Sequence, residues 1–305
     1  MRNLWQSEVR NALRGERNAV EGTVIEGRTF DEERALYGSR NLVVRDCRFA
    51  GPADGESFLK ESSDAEVRDC FCDLRYPFWH DSRVVIDGCE LTERCRAALW
   101  YTDHAEVRNS KLHGIKALRE CRDVVIEGCD ISSPEFGWST EHCRMADTSA
   151  MGEYFMMRAA YLDLRNVRLA GKYSFQYVRQ AELSGCALDT KDAFWHTDNV
   201  TLVDCDVKGE YLGWYSNHLT LVRCRISGTQ PLCYCKNLTL VDCEMDGCDL
   251  AFEKSEVKAT VTTHIDGVKN PLRGSIVAPS IGEIVAEEGV DCAIEETALR
   301  FATTF

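Results

Sequence analysis

The sequence predicts an all-β fold, a single-stranded right-handed parallel β-helix of about 12 coils with a 19-residue repeat. From Ser110, equal steps of one repeat land in turn on Cys129, Thr148, Val167, Cys186, Cys205, Cys224 and Cys243. The flanking text repeats as well, as in VVIEGC, VTLVDC and LTLVRC. A fixed period this short means that each repeat is one coil, whose apolar face its neighbours bury. The strands lack the six-residue period of left-handed helices, so we expect the right-handed form.

Residues 238–255 show how one coil is built. Leu238 and Leu240 flank the polar Thr239, an alternation that predicts a strand with one buried face. The position before each column cysteine is usually Asp, Gly or Asn, which tolerate turn conformations, so we expect a bend there. A second short strand follows through Met245, and residues 249–253 are predicted as a third strand.

The two ends of the chain depart from the repeat and are predicted to cap the stack, because an open coil presents unpaired backbone groups. Trp5, Val9 and Leu13 recur at every fourth position, which predicts an amphipathic helix over residues 1–22. The β-helix is assigned to residues 23–275, and residues 276–305 are assigned to closing strands and a tail.

Composition and charge limit the partners. A net charge of −14 and a pI near 5.0 argue against nucleic acid, which needs a basic surface. No window approaches the roughly 18 apolar residues of a membrane span, and the start of the chain has no apolar run of signal-peptide length. We therefore expect a cytoplasmic protein whose 16 cysteines are reduced and stacked in the core.

The predicted third strand carries the unusual residues. Aligned five-residue segments such as YPFWH (76–80), AALWY (97–101) and DAFWH (192–196) place five of the six tryptophans at the fourth position. That column reads Lys60, Trp79, Trp100, Arg119, Trp138, Met157, Gln176, Trp195, Trp214, Cys233 and Phe252.

Two orientations of this segment are open. In the favoured one, the first, third and fifth positions face outward and the fourth faces inward, which places Arg119 between Trp100 and Trp138 as a cation–π sandwich. In the other, the tryptophan column faces outward. Just before the segments, Glu153, Lys172, Lys191 and Glu210 form a column that predicts ion pairs along the stack.

The same segments supply the candidate site. Aromatic rings offer stacking area and ionisable groups offer hydrogen bonds, a combination that suits an oligosaccharide. The predicted substrate-binding residues are Trp79, His80, Trp100, Tyr101, Lys116, Arg119, Trp138, Tyr177, Asp192, His196 and Tyr215. For catalysis, a hydrolase needs two carboxylates and a lyase needs a base, so the candidates are Glu120, Glu135 and Arg158.

The sequence predicts neither a metal site nor a cofactor. Cys70-x-Cys72 and Cys233-x-Cys235 lack the C-x₂-C spacing and the second pair of a zinc site. There is no glycine-rich phosphate loop, no nucleophile elbow and no H-E-x-x-H motif.

Over about residues 24–275, the sequence resembles an uncharacterised bacterial family of single-stranded right-handed β-helix, pectin-lyase-like proteins. The motifs that carry the resemblance include RTFDEERALYG (28–38), GPADGESFLKES (51–62), LHGIKALREC (112–121), GKYSFQY (171–177), GEYLGWYS (209–216) and GTQPLCYC (228–235). The resemblance implies the fold and no activity, because fold analogy is weak warrant for function.

Three functions remain open at this point. The aromatic and ionisable stripe predicts a carbohydrate-active hydrolase or lyase. The same stripe suits a non-catalytic module that binds a glycan or a protein. It also suits a structural protein whose stripe is the interface of a homo-oligomer.

Overall fold

The computed structural model describes residues 22–52 and 54–297, which form a parallel β-solenoid of about 14 turns with a spacing of ~19 residues. The fold class is therefore confirmed. The prediction of 12 coils was too low, because strands before Arg34 and after Cys243 form turns as well. The chain divides into two compact units, a first unit within residues 1–163 and a second unit within residues 164–305.

Each coil of the first unit contributes one strand to each of two parallel sheets, sheet A and sheet B. The A strands are β1 (Thr23–Glu26), β3 (Arg40–Arg45), β5 (Ser63–Arg68), β7 (Ser82–Asp87), β9 (Asp103–Arg108), β11 (Arg122–Glu127) and β13 (Glu141–Ala146). The B strands are β2 (Thr29–Phe30), β4 (Arg48–Phe49), β6 (Phe71–Cys72), β8 (Glu90–Leu91), β10 (Lys111–Leu112), β12 (Asp130–Ser132) and β14 (Ser149–Glu153). The A strand β15 (Ala160–Arg165) contains the boundary between the units.

The second unit repeats this plan. Its A strands are β17 (Arg179–Ser184), β19 (Asp198–Val203), β21 (Asn217–Val222), β23 (Leu238–Asp246), β24 (Glu256–Val261), β26 (Arg273–Ala278) and β28 (Asp291–Glu296). The remaining strands are β16 (Arg168–Lys172), β18 (Ala187–Lys191), β20 (Asp206–Lys208), β22 (Arg225–Ser227), β25 (Ile265–Lys269) and β27 (Ile281–Val285). Strand β23 pairs with both β21 and β22, because it runs through the A and B positions without a break.

The corner between sheets A and B is the bend that the sequence predicts. Asp69 and Gly88, each directly before a column cysteine, have φ angles of 52° and 66°. The column side chains act as hydrogen-bond donors, since Cys89 Sγ lies 3.5 Å from the Val67 oxygen and Ser110 Oγ donates to the Arg108 oxygen at 2.6 Å. Cysteine and serine can therefore replace one another at this position, because both side chains donate to the same kind of backbone oxygen.

The cysteines are buried, except for the half-buried Cys292. Burial raises the pKa of the Cys121 and Cys143 thiols to about 12. These thiols stay protonated at neutral pH and behave as small apolar core residues.

The third segment of each coil is an arc of turns and not the predicted strand. The first, third and fifth residues have positive φ, as at Tyr76 (60°), Phe78 (57°) and His80 (59°). Alternating left-handed residues curve the chain too tightly for a strand, although the arcs still bond from coil to coil, as His80 N donates to the Trp100 oxygen at 2.8 Å.

This curvature overturns the favoured orientation of the segment. The second and third positions point into the core, where Phe78, Ala98 and Leu99 are fully buried. The tryptophans at the fourth position are half-buried, and the fifth position is mostly exposed. The prediction failed because it assumed the two-residue alternation of a strand, which an arc with left-handed residues does not follow.

The last arc was also assigned one residue out of register. Phe252 has a φ of 67°, is fully buried and donates its N–H to the Pro231 oxygen, so it occupies the third position. The fourth position of this arc is Glu253, whose oxygen accepts from Tyr234 N. One extra residue separates this arc from the preceding one.

The predicted helix over residues 1–22 lies almost entirely outside the described residues. So does the end of the tail, after Thr297. Within the described ranges, no helix has the length and apolarity needed to cross a membrane.

Candidate functional site

Four of the five tryptophans at the fourth position are fixed by a recurring hydrogen bond. Trp100 Nε1 donates to the Lys116 oxygen at 3.0 Å, and Trp138 Nε1 donates to the Tyr154 oxygen at 2.8 Å, in each case to the start of the next arc. Gln176 occupies the same position in the second unit, and its Nε2 donates to the Asp192 oxygen at 3.0 Å. The bond holds each of these indole rings half-exposed in one orientation, although Met157 and Cys233 occupy the same position without a side-chain N–H.

In the first unit the fourth position carries both aromatic rings and cations. Lys60 Nζ lies 4.9 Å from the Trp79 ring centroid, and the Trp79 and Trp100 rings meet edge to face at 5.3 Å and 67°. The Arg119 guanidinium lies 5.1 Å from the Trp100 centroid and 5.0 Å from the Trp138 centroid. The predicted cation–π sandwich is present, but on a half-exposed surface and not in the core.

Two carboxylates surround this guanidinium. Arg119 Nε pairs with Glu120 at 3.2 Å, and one of its terminal nitrogens lies 3.9 Å from Glu135. Lys116 Nζ is 3.4 Å from the same Glu135 carboxylate. The four charges balance, so this part of the surface is polar without a net charge.

His80 and Tyr101 extend the cluster along the fifth position. Their rings meet edge to face at 5.0 Å, and Tyr101 is 41% exposed. We name the whole set the first-unit arc surface, and it comprises Lys60, Trp79, His80, Trp100, Tyr101, Lys116, Arg119, Glu120, Glu135 and Trp138. Arg158 also occupies a fifth position, two arcs beyond Glu120, and is exposed.

The carboxylate arrangement favours recognition over general acid–base chemistry. Glu120 and Glu135 both pair with the same guanidinium, so their carboxylate oxygens lie side by side as hydrogen-bond acceptors. The roles of Glu120, Glu135 and Arg158 in catalysis stay predictions.

The second unit holds the other four predicted residues in a different setting. Three of them, Tyr177, His196 and Tyr215, stack face to face in that order, and Tyr234 continues the stack. The successive centroid separations are 5.0, 5.0 and 4.9 Å. The ring faces are therefore occupied by one another, and the exposed parts are the ring edges.

Asp192, at the first position of an arc in this unit, is 7% exposed. Burial raises the pKa of its carboxyl group, an effect that the neighbouring Lys191 opposes. Lys191 Nζ pairs with Glu210 at 2.6 Å, which confirms that step of the predicted charge column.

Sequence reasoning missed two features of the first unit. Tyr37 is the fourth-position residue of an earlier arc, which RALYG (34–38) would have revealed if aligned with the segment that contains Lys60. The second feature is a carboxylate between two imidazoles, with Asp123 at 3.5 Å from His104 and 3.1 Å from His142. These three residues follow one another at equal steps of one repeat, which marks them in the sequence as one column.

No metal site is evident in the part of the chain that the structure describes. There, no group of three or more His, Cys, Asp or Glu side chains is arranged to hold a metal ion. Cys233 and Cys235, one of the two Cys-x-Cys pairs of the sequence, are both buried.

Comparison with known proteins gives a family and a fold. A family model described as "Protein of unknown function (DUF3737)" matches residues 23–297. No curated protein matches the chain.

Three similar solved structures come from a bacterium, a phage and a pathogen. The A-module of the Azotobacter vinelandii mannuronan C-5 epimerase AlgE4 is 11% identical, with 92% of each chain covered and a TM-score of 0.32. The tailspike of Escherichia coli bacteriophage HK620, in complex with a hexasaccharide, is 11% identical, with 88% of this chain and 71% of that chain covered and a TM-score of 0.42. The Streptococcus pneumoniae surface adhesin PfbA is 7% identical, with 88% of this chain and 76% of that chain covered and a TM-score of 0.34. At these identities the similarity concerns the fold alone.

Proposed function

Since the chain belongs to the DUF3737 family of proteins of unknown function, we propose its function from its own surface: it binds a neutral oligosaccharide on the first-unit arc surface, without turnover. The observation that carries the proposal is the group of half-exposed indoles, of which Trp100 and Trp138 are each oriented by an N–H bond and flank the Arg119 guanidinium. A sugar ring has an apolar face that packs on an aromatic ring and hydroxyls that bond to charged groups, so both parts are matched.

The charges favour a neutral ligand over an acidic one. Lys116 and Arg119 are already paired with Glu120 and Glu135, and Lys60 lies against the Trp79 ring. The net charge of −14 would repel an anionic polymer further.

The test uses the full chain with a panel of neutral and acidic oligosaccharides. Binding is followed by calorimetry and tryptophan fluorescence, and the same samples are analysed for products by mass spectrometry. We expect a neutral oligosaccharide to bind and no product to form. Cleavage or epimerisation of any panel member would replace the binding module with an enzyme.

The second unit supplies matched variants for this test. Trp100→Gln and Trp138→Gln remove the ring but keep a side-chain N–H at the fourth position, as Gln176 does naturally. We expect each to weaken binding at least tenfold, whereas Trp214→Gln, the same change in the second unit, leaves it unchanged. Equal effects of all three, or none, would contradict the proposal. The homo-oligomer stays a prediction, and light scattering of the same samples tests it.

A further inference from the structure

The outer face of sheet A in the second unit carries a groove of about 740 Å³. Six A strands, β19, β21, β23, β24, β26 and β28, contribute to it. Its volume lies within the roughly 300–1,000 Å³ typical of small-molecule sites. None of its residues belongs to the arcs.

The groove forms where the coils shorten. Leu238 pairs with Val257 one full repeat later, but Val257 pairs with Gly274 after a coil that is two residues shorter. Gly274 has a φ of 119°, and a Cβ there would collide with the Val257 carbonyl oxygen. Only glycine fits this approach, so the end of the groove has no side chain on its floor.

The walls carry polar side chains that can form hydrogen bonds. Asn237 Nδ2 donates to Asn217 at 3.2 Å, and Asn199 Nδ2 donates to Gln180 at 2.6 Å, so each amide is oriented by the coil before it. Both keep an oxygen and a second N–H to offer a ligand. The hydroxyls of Thr220 and Thr239, and the ring of His218, line the groove beside these amides.

The charges at the rim compensate one another. Arg273 pairs with Glu256 at 2.9 Å, and the rim also carries Lys258 and Asp291. Two cations therefore meet two carboxylates.

We propose that this groove is a second saccharide site, which takes a neutral sugar through its hydroxyls. Oriented amides, hydroxyls and an imidazole, beside rim charges of both signs in equal number, match a ligand that carries many hydroxyls and no net charge. The site is independent of the first-unit arc surface, since it shares no residue with it.

The experiment is saturation-transfer NMR and calorimetry on the full chain with maltotetraose, cellotetraose, chitotetraose and mannotetraose. Asn237→Gly removes an amide while keeping the positive φ of 51° accessible, and Thr239→Val removes a hydroxyl at constant shape. We expect each to weaken binding of one tetrasaccharide at least fivefold. Asn41→Gly is the matched control, since Asn41 has a φ of 53° at the equivalent strand position of the first unit.

The outcomes separate the two proposed sites. Loss of binding in Trp138→Gln but not in Asn237→Gly or Thr239→Val would overturn the groove and leave the arc surface standing. Loss of binding in Asn237→Gly and Thr239→Val but not in Trp138→Gln would support the groove and overturn the first-unit arc surface. If none of the four sugars binds at millimolar concentration, the groove proposal is wrong, while the wider panel still decides the arc surface.

Discussion

The tripeptide Phe-Trp-His occurs once in an arc of each unit, and its rings pack differently in the two places. In the first unit, Trp79 meets the tryptophan of the next arc, Trp100, at 67°. In the second unit, Trp195 and Trp214 are nearly parallel, at 5°. Identical local sequence therefore does not determine how the rings face each other.

The difference follows the length of the coils. Trp195 and Trp214 are one standard repeat apart, as are most neighbouring arcs of the second unit, so equivalent residues are related by a simple shift along the stack. The coil from Trp79 to Trp100 is two residues longer, and the extra chain forms a turn in which Cys95 N donates to the Thr92 oxygen. Rings stack in parallel where successive coils have the same backbone path. The longer coil turns Trp79 and Trp100 edge to face, and their ring faces then contact Lys60 and Arg119.

The largest expected effect is the loss of stability when a buried phenylalanine is truncated. It tests whether the core contributes equally in the two units, although their tryptophans pack differently. Phe78 and Phe194, the first residues of the two tripeptides, are both fully buried. We expect Phe78→Ala and Phe194→Ala each to cost about 3–5 kcal/mol, because each leaves a cavity of the same size. Hydrogen exchange by mass spectrometry, read separately for each unit, measures both. A cost that is clearly larger for Phe194 would show that parallel stacking adds stability of its own.

The next prediction concerns the residue after each tripeptide, Asp81 in the first unit and Thr197 in the second. Asp81 is 2% exposed, accepts from Ser62 N at 2.8 Å, and its second oxygen has no partner among the described residues. Burial raises the pKa of this carboxyl group from 3.8 to about 8. The folded state therefore holds a proton that the unfolded chain releases above pH 3.8, and stability is lost as the pH rises from there through about 8.

Asp81→Thr should remove this loss. At pH 7 we expect the variant to be more stable by about 4 kcal/mol, since one pKa unit corresponds to about 1.4 kcal/mol. Urea unfolding between pH 3.5 and pH 9, at about half-unit steps, checks it. The reciprocal variant Thr197→Asp should introduce the same decrease of the free energy of unfolding with rising pH into the second unit. A gain from Asp81→Thr that is the same at every pH would show that the carboxyl group is not protonated in the folded state.

These contrasts show what the sequence could and could not predict. The inward columns, the bends before the cysteines and the Arg119 sandwich follow from the repeat, because stacking brings equal positions together. The direction of the arcs does not, because residues such as Phe78 adopt left-handed backbone without being glycine. The groove was also hidden, since it depends on six strands and on coils that shorten after Val257.

The smallest effect concerns the fourth position itself, which Arg119 occupies in the first unit and Gln176 in the second. Arg119→Ala removes two cation–π contacts, each of about 0.5–1 kcal/mol at a part-exposed site, and leaves Glu120 and Glu135 with one cation fewer. We expect a loss of about 1–2 kcal/mol and a shift in tryptophan emission. Arg119→Lys should recover the charge but not the planar stacking, and therefore only part of the stability.

Gln176→Ala should cost about 1 kcal/mol for its hydrogen bond, with no change in tryptophan emission. If Arg119→Lys matches the native protein in both readouts, charge alone holds the first-unit column together, and the flat face between Trp100 and Trp138 contributes nothing beyond it.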